Sequence, residues 1–290
     1  GFRRRNCDRR DPGPSRDRRV AFDLRSSRWR FTRVTDTRDL VNLATRLARE
    51  AGDMVLVGRR HGDLDVDTKS SPTDMVTRFD AAAERMIITA LRLERPQDTI
   101  VGEEGSNIVG DSGIEWFVDP IDGTTNFMYG LGGFAVSIAA CDAEGPIAAA
   151  VYVPTTRDLF SARRGGGAFL GSSPIHCSTK NDLATSLIAT GFSYDAPSRS
   201  RQGERVARLL PLVRDIRRMG AAAVDLCHVA CGRVDGYFEE NLRPWDLAAG
   251  LLVATEAGAI ASDFVGARVR PEQTLVCAPG IHTALRDAIR

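Results

Sequence analysis

Lysine is nearly missing from this chain: of 39 basic residues among 290, only Lys69 and Lys180 are lysines. A lysine with a chemical task would therefore stand out, and no GxxxxGK(S/T) run exists to place one against a nucleotide. Long apolar runs are missing as well. The best candidate, Leu247 to Gly258, holds Glu256 and is shorter than the ~18–20 residues that a membrane helix needs, which excludes a transmembrane helix. Cysteine is sparse, six residues in all, too few for a disulfide scaffold of this length. Cys227 and Cys231 flank His228 at helical spacing, but no second Cys/His pair completes a zinc set. Buried thiols in a reducing cytoplasm are the simpler reading.

Several catalytic signatures are also absent. There is no GxSxG elbow. His176-Cys177 begins like a cysteine-phosphatase loop, but Leu183 stands where the arginine belongs. Asp63-Leu-Asp65-Val-Asp67 starts like an EF-hand, yet position six is Thr68 and position twelve is Asp74. Read from Asp65, the same stretch misses an aspartyl-phosphatase signature because Lys69 is its fifth residue.

The net charge of +1 hides an asymmetry. Residues 1–33 carry twelve Arg against four Asp, so the rest of the chain is acidic. An acidic body argues against a nucleic-acid groove within it. Residues 1–35 show no apolar periodicity and no h-region, so they do not read as a secretory signal. They read as a disordered Arg-rich leader, the alternative being a basic arm that touches nucleic acid or anionic surfaces.

Regular patterning starts near Asp36. Leu40, Ala44, Leu47, Ala51 and Met54 recur at helical spacing. A polar loop, His61–Thr77, precedes a helix over Asp80–Leu93. Strands are expected at Thr99–Gly102, Glu115–Asp119, Phe134–Cys141, Pro146–Pro154 and Leu159–Arg163. Beyond about residue 184 strands and helices alternate. Strands fall at Leu187–Gly191, Gly236–Glu239, Ala259–Asp263 and Thr274–Ala278. Helices fall at Arg199–Arg214, Gly220–Cys231, Trp245–Ala257 and the carboxyl end. The pattern predicts an α+β chain of layered helices and sheets rather than a barrel. Residues 36–183 form an N-terminal α+β half and 184–290 an α/β half that completes one catalytic unit.

The densest chemical signal is Trp116-Phe-Val-Asp119-Pro-Ile121-Asp122-Gly123-Thr124-Thr125-Asn126. An apolar strand delivers Asp119 into a proline turn, and Asp122 follows three residues later. Hard cations such as Mg²⁺ take oxygen ligands, and two carboxylates so spaced reach neighbouring ions. Main-chain N–H groups at Gly123 and Thr124 are placed to receive a phosphate. The plainer reading, an Asx turn with a helix cap, leaves the hydrophobic delivery of both acids unexplained. Glu103 ends a second strand, and Trp245-Asp246 opens a helix far along the chain. Taken singly, Asp246 reads as an N-cap and Glu103 as a solvated acid.

With these blocks together the chain resembles the inositol monophosphatase family of lithium-sensitive, magnesium-dependent sugar phosphatases. The matching runs are Lys69-Ser-Ser-Pro-Thr-Asp74-Met-Val-Thr77, Gly102-Glu103-Glu104, Asp119 to Asn126, Gly220-Ala-Ala-Ala-Val-Asp225, Tyr237-Phe-Glu239 and Trp245 to Gly250. The resemblance spans residues 36–290. It implies an α/β/α/β/α sandwich with a mostly antiparallel first sheet and a mixed second sheet. It implies two to three Mg²⁺ ions held by Glu103, Asp119, the Ile121 carbonyl, Asp122 and Asp246. It implies that Thr124 and Asp80 orient the attacking water, with Glu103 and Asp122 beside them, and that Gly123 and Thr124 bind phosphate. Gly220, Ala222, Glu239 and Asp246 would face polyol hydroxyls, and Lys69 would lie near a loop over the metals.

The implied activity is hydrolysis of myo-inositol 1-phosphate or a similar polyol phosphate by a cytoplasmic homodimer. The rivals are histidinol-phosphate or fructose-1,6-bisphosphate hydrolysis within the family and, outside it, nucleic-acid binding through the basic arm. Ala221, where the family often has Ser or Thr, and the rim Asn241-Leu-Arg243-Pro244 depart from the pattern. Arg243 would favour a more anionic substrate.

Overall fold

The computed structural model describes residues 36–61, 66–68 and 75–290. The Arg-rich leader, Lys69 and Asp74 lie outside them. Helix α1 (Thr37–His61) buries Leu40, Ala44, Leu47, Ala51 and Val55 on one stripe. Within the stretch read as a polar loop, β1 (Val66–Thr68) and β2 (Met75–Thr77) pair as a short antiparallel ladder. These strands carry three residues each, too few for an alternation to show in sequence. Helix α2 (Arg78–Glu94) starts at an N-cap, Thr77, whose hydroxyl accepts the Phe79 N–H.

The next elements are β3 (Thr99–Gly102), β4 (Asn107–Ile108), β5 (Glu115–Asp122), α3 (Thr124–Tyr129), β6 (Ala135–Asp142), β7 (Gly145–Val153), β8 (Asp158–Arg163), β9 (Ala168–Leu170) and β10 (Ser173–Ile175). The second half holds β11 (Leu187–Thr190), α4 (Ala196–Leu209), β12 (Asp215–Arg217), α5 (Ala222–Ala230), β13 (Gly236–Glu239), α6 (Pro244–Glu256), β14 (Ile260–Ser262), β15 (Thr274–Cys277) and α7 (His282–Ile289). The helix expected over Arg199–Arg214 begins earlier, behind an Asp195 cap that accepts the Ser198 N–H at 2.9 Å. It ends at Leu209, and a 3₁₀ turn follows, Leu210–Leu212, in which Pro211 offers no N–H to continue the α ladder.

Strands β10-β9-β8-β7-β6-β5-β3-β4 make the first sheet in that order, antiparallel except between β3 and β5. The second sheet, β12-β11-β13-β15-β14, is mixed: β11 runs parallel to both neighbours, and β15 antiparallel to both of its own. One hydrophobic core lies between α1, α2 and the first sheet. A second surrounds α5 and α6 between the two sheets, and a third covers the outer face of the second sheet under α4 and α7. The order of layers is therefore α/β/α/β/α, the mixed architecture that the sequence pattern implies. The three-glycine break, Gly165–Gly167, is the turn between β8 and β9. The N–H groups of Gly165 and Gly167 donate to the Glu256 carboxylate at 2.7 and 2.8 Å, which gives those glycines a structural task.

Candidate active site

Strand β5 does not stop at Asp119, as its sequence suggests, but runs on through Pro120 to Asp122. Against β6, Asp119 pairs with Ser137 and Asp122 with Ala135, so three steps on one strand match two on the other. The extra residue is a bulge, which also accommodates a proline without a ladder N–H. Residues three apart on a regular strand face opposite sides. The bulge turns Asp122 back to the side of Asp119, and both line one cavity.

Glu103 reaches the same place by a parallel neighbour. Gly102 pairs with Val118 across β3 and β5, so the residues that follow, Glu103 at the turn after β3 and Asp119 on β5, stand side by side. Asp246 arrives from the second half. It is the third residue of α6, not its N-cap, and its Oδ2 accepts the Arg243 N–H at 2.7 Å. Ser137, the cross-strand partner of Asp119, donates its hydroxyl to the Trp245 carbonyl at 3.2 Å and ties the start of α6 to β6. Asp122 accepts the N–H groups of Ala222 and Ala223 at 3.0 and 2.7 Å. Those are the first N–H groups of α5, whose own cap residue, Ala221, has no side chain to offer. Asp122 thus caps that helix from across the molecule, and the Ala222 amide is engaged with it.

The cavity has a volume of about 500 Å³ and takes in Glu103, Asp119, Asp122, Gly123, Thr124 and Asp246, together with Gly220, Ala222 and Glu239. Asp80 is buried beneath it instead. The Asp80 Oδ2 accepts from the Thr77 N–H and hydroxyl, while Oδ1 stands 3.4 Å from the Thr124 hydroxyl. That hydroxyl is also 3.1 Å from the Ile121 carbonyl, so one proton has two acceptors. Gly123 has φ +89° and precedes α3; a Cβ there would meet Ala221 Cβ at 3.0 Å and the Gly220 carbonyl at 3.1 Å. Asn126 clamps the two loops by donating to the Gly133 and Met219 carbonyls at 3.1 and 2.7 Å.

The electrostatics follow from packing so many acids together. Burial, then the charges of Glu103, Asp122 and Asp246, hold the Asp119 carboxyl well above its usual range. Burial lifts Asp122 to about 7, against the lowering pull of the Ala223 and Ala222 amides. Asp246 is raised by burial and then by Asp122 and Glu103, with the Arg243 amide opposing. Glu239 is raised by burial and eased by the Tyr237 hydroxyl, at 2.5 Å, and by Arg218. Behind them Asp225 is buried with Oδ1 unpartnered, its pKa raised by burial and by Glu239 and Asp122.

Such a cluster suits a hard divalent cation. Its donors are all oxygens, and its repulsion is what a cation relieves. Among the described residues no three His, Cys, Asp or Glu side chains already stand as a metal-ligand set. Asp122 and Asp246 also accept main-chain N–H groups, and an ionised carboxylate has lone pairs left over to offer an ion. Cys227 and Cys231 are free thiols, Cys227 fully buried, and neither lines the cavity. Sequence reasoning did not single out Ser137, or Asn126 as a clamp, or Arg218, Tyr194 and Asp195 in the cavity wall. Their roles depend on what folds against them, and only the position of Asn126 beside the acidic motif offered a signal.

Comparison with known proteins agrees over the same residues. The profile of the inositol monophosphatase family matches residues 36–290. The Nus factor SuhB of Escherichia coli strain K12 is 43% identical over 229 residues, 78% of this chain and 86% of that protein. The inositol-1-monophosphatase of Mycobacterium bovis is 43% identical over 239 residues, 76% of this chain and 82% of that protein. Among solved structures, the extragenic suppressor protein suhB from Bartonella henselae superposes with a TM-score of 0.83 at 35% identity, covering 87% of this chain and 98% of that one.

Proposed function

The chain belongs to the inositol monophosphatase family, and from that premise we propose that it is a magnesium-dependent phosphomonoesterase acting on myo-inositol 1-phosphate or a similar polyol phosphate. The observation that carries the reading is the gathering of Glu103, Asp119, Asp122 and Asp246 in one cavity from three separate stretches of sequence. Glu103, Asp119, the Ile121 carbonyl, Asp122 and Asp246 would hold the ions. Bound Mg²⁺ supplies positive charge to the phosphate and lowers the pKa of water.

The chain's own groups position the reactants. The Gly123 and Thr124 amides receive phosphate oxygens at the turn that opens α3. The Thr124 hydroxyl orients the attacking water and takes its proton while passing its own to the Asp80 carboxylate behind it. Glu239, held by Tyr237, accepts a polyol hydroxyl, and Gly220 leaves space for the ring. The water oxygen bonds to phosphorus as the ester P–O bond breaks, and the departing polyol oxygen takes a proton from solvent water, giving the free polyol and inorganic phosphate. Uncatalysed monoester hydrolysis is slow enough that enzymes supply up to ~10²¹-fold. General-base catalysis contributes only ~10²–10⁴-fold of that, which is why the acids are assigned to cations rather than to proton transfer alone.

The name of the Mycobacterium bovis relative supports inositol 1-phosphate as the first substrate to try. A panel with histidinol phosphate and fructose 1,6-bisphosphate tests it: turnover of either far above inositol phosphate would displace this substrate assignment. A second reading rests on the basic residues 1–33 and on a relative named as a Nus factor. It assigns nucleic-acid binding to that segment. Removing residues 1–33 should then abolish salt-dependent RNA binding and leave phosphatase activity intact. No binding by the full chain would end this reading.

A further inference from the structure

Helix α2 carries a second buried acid, Glu84, in the stripe formed by Asp80, Ala83, Ile87, Ile88 and Leu91. A carboxylate in a hydrophobic stripe is costly unless hydrogen bonds satisfy it. Here both oxygens are used on one short turn: Oε2 accepts the Glu104 N–H at 2.7 Å and Oε1 accepts the Ser106 N–H at 3.1 Å. That turn connects β3 to β4, and Glu103 sits on it. The approach is close enough to dictate Gly102, because a Cβ there would lie 2.4 Å from Glu84 Oε2 and 2.5 Å from Cδ. Asp80 and Glu84 are four residues apart and share one helix face. Asp80 faces Thr124 and Glu84 faces the Glu103 turn, so a single rigid helix sets the spacing of two walls of the cavity.

We propose that Glu84 is a positioning residue, whose hydrogen bonds to the 104–106 backbone aim Glu103 at the metal-binding cavity. This rests on the reading of Glu103 as a metal ligand. Without Glu84 the turn keeps the Gly102 N–H to Ser106 carbonyl bond at 2.8 Å, which spans the turn but does not seat it on α2. Partners that orient a ligand typically influence metal affinity ~10–100-fold.

The experiment compares wild type, Glu84→Gln, Gly102→Ala and Glu103→Gln. Mg²⁺ affinity is measured by calorimetry, with kcat, KM and melting temperature alongside. Glu84→Gln keeps the side chain's size but sets an NH₂ group against one of the two backbone donors. Gly102→Ala displaces the carboxylate without altering it. Both should bind Mg²⁺ ~10-fold or more weakly while folded, with KM for inositol 1-phosphate at saturating Mg²⁺ within about twofold of wild type. Lower melting temperatures with unchanged Mg²⁺ affinity would make Glu84 a stability residue only and overturn the proposal. The controls separate the two levels. If Glu103→Gln binds Mg²⁺ like wild type, the ligand assignment falls and the Glu84 proposal with it. If Glu103→Gln weakens binding and the other two variants do not, only the Glu84 proposal falls.

Discussion

At the scale of single residues, Asp122 does two things at once, and both can be measured. Its carboxylate lines the cavity and caps α5 through the Ala222 and Ala223 amides. Asp122→Asn should nearly abolish turnover, because it removes an anionic oxygen from the ion site. It should leave the melting temperature in chelator at pH 8 unchanged or higher, because Asn caps a helix about as well as Asp and carries no charge to bury. Phosphate release and a melting curve on the same sample separate these effects, and full turnover with a lowered melting temperature would leave Asp122 with only its capping task. Its titration makes a further prediction. The folded chain holds the Asp122 proton up to about 7, whereas the unfolded chain releases it near 3.8. Between those values the folded state binds more protons, so this group's contribution to stability falls as pH rises through the window. In chelator, the protein should lose stability from pH 5.5 to 8. Protons compete with metal for the same oxygens, so added Mg²⁺ should raise the melting temperature more at pH 8 than at pH 5.5. An equal or larger shift at pH 5.5, followed by differential scanning fluorimetry, would contradict a carboxylate ion site.

At the scale of elements, the site is a meeting of ends. The bulged end of β5, the turn after β3, the start of α3, the start of α5 and the start of α6 converge, each held by a few named bonds. Asn126 is the joint between two of them, donating from α3 to the Met219 carbonyl beside Gly220. Asn126→Ala leaves the half-buried Met219 and Gly133 carbonyls without that donor, a loss of about 0.5–1.5 kcal/mol. It should also loosen the Gly123–Gly220 contact, raising KM more than it lowers kcat. Steady-state kinetics decide this, and a variant with lowered kcat and unchanged KM would place Asn126 in the chemical step. The bulge was not legible in the sequence. Pro120 within an apolar run read as the end of a strand, whereas pairing with β6 carries the strand past it. The β1–β2 ladder was hidden for a different reason, since three-residue strands in polar surroundings have no period to detect.

At the scale of the whole molecule, the layer of α5 and α6 between the sheets decides whether the second half brings Asp246 to the first half's acids. The two helices touch at Gly250, where a Cβ would stand 2.6 Å from Leu226 Cβ and 3.2 Å from the Ala223 carbonyl. Gly250→Val should force these helices apart at a cost of about 1–3 kcal/mol, a drop of several degrees in a chain of this size. Activity should fall further than stability alone explains, because Asp246 and the Ala222–Ala223 amides sit on the displaced helices. Wild-type kinetics in a folded Gly250→Val sample would show that the site tolerates a wider gap. By itself, the sequence determined the order and kind of the long elements, through the helical spacing of α1 and the apolar runs of β5 to β8. It also named the acids, because the Asp119 to Asn126 motif, Glu103 and Trp245-Asp246 are local and chemically distinctive. Only tertiary structure decided that Ser137 would hold α6, that Asp122 would cap a helix a hundred residues away, and that Glu84 would sit under the Glu103 turn. Those contacts join distant positions through hydrogen bonds to main-chain atoms, which every residue carries alike, so no pattern of side chains along the chain announces them.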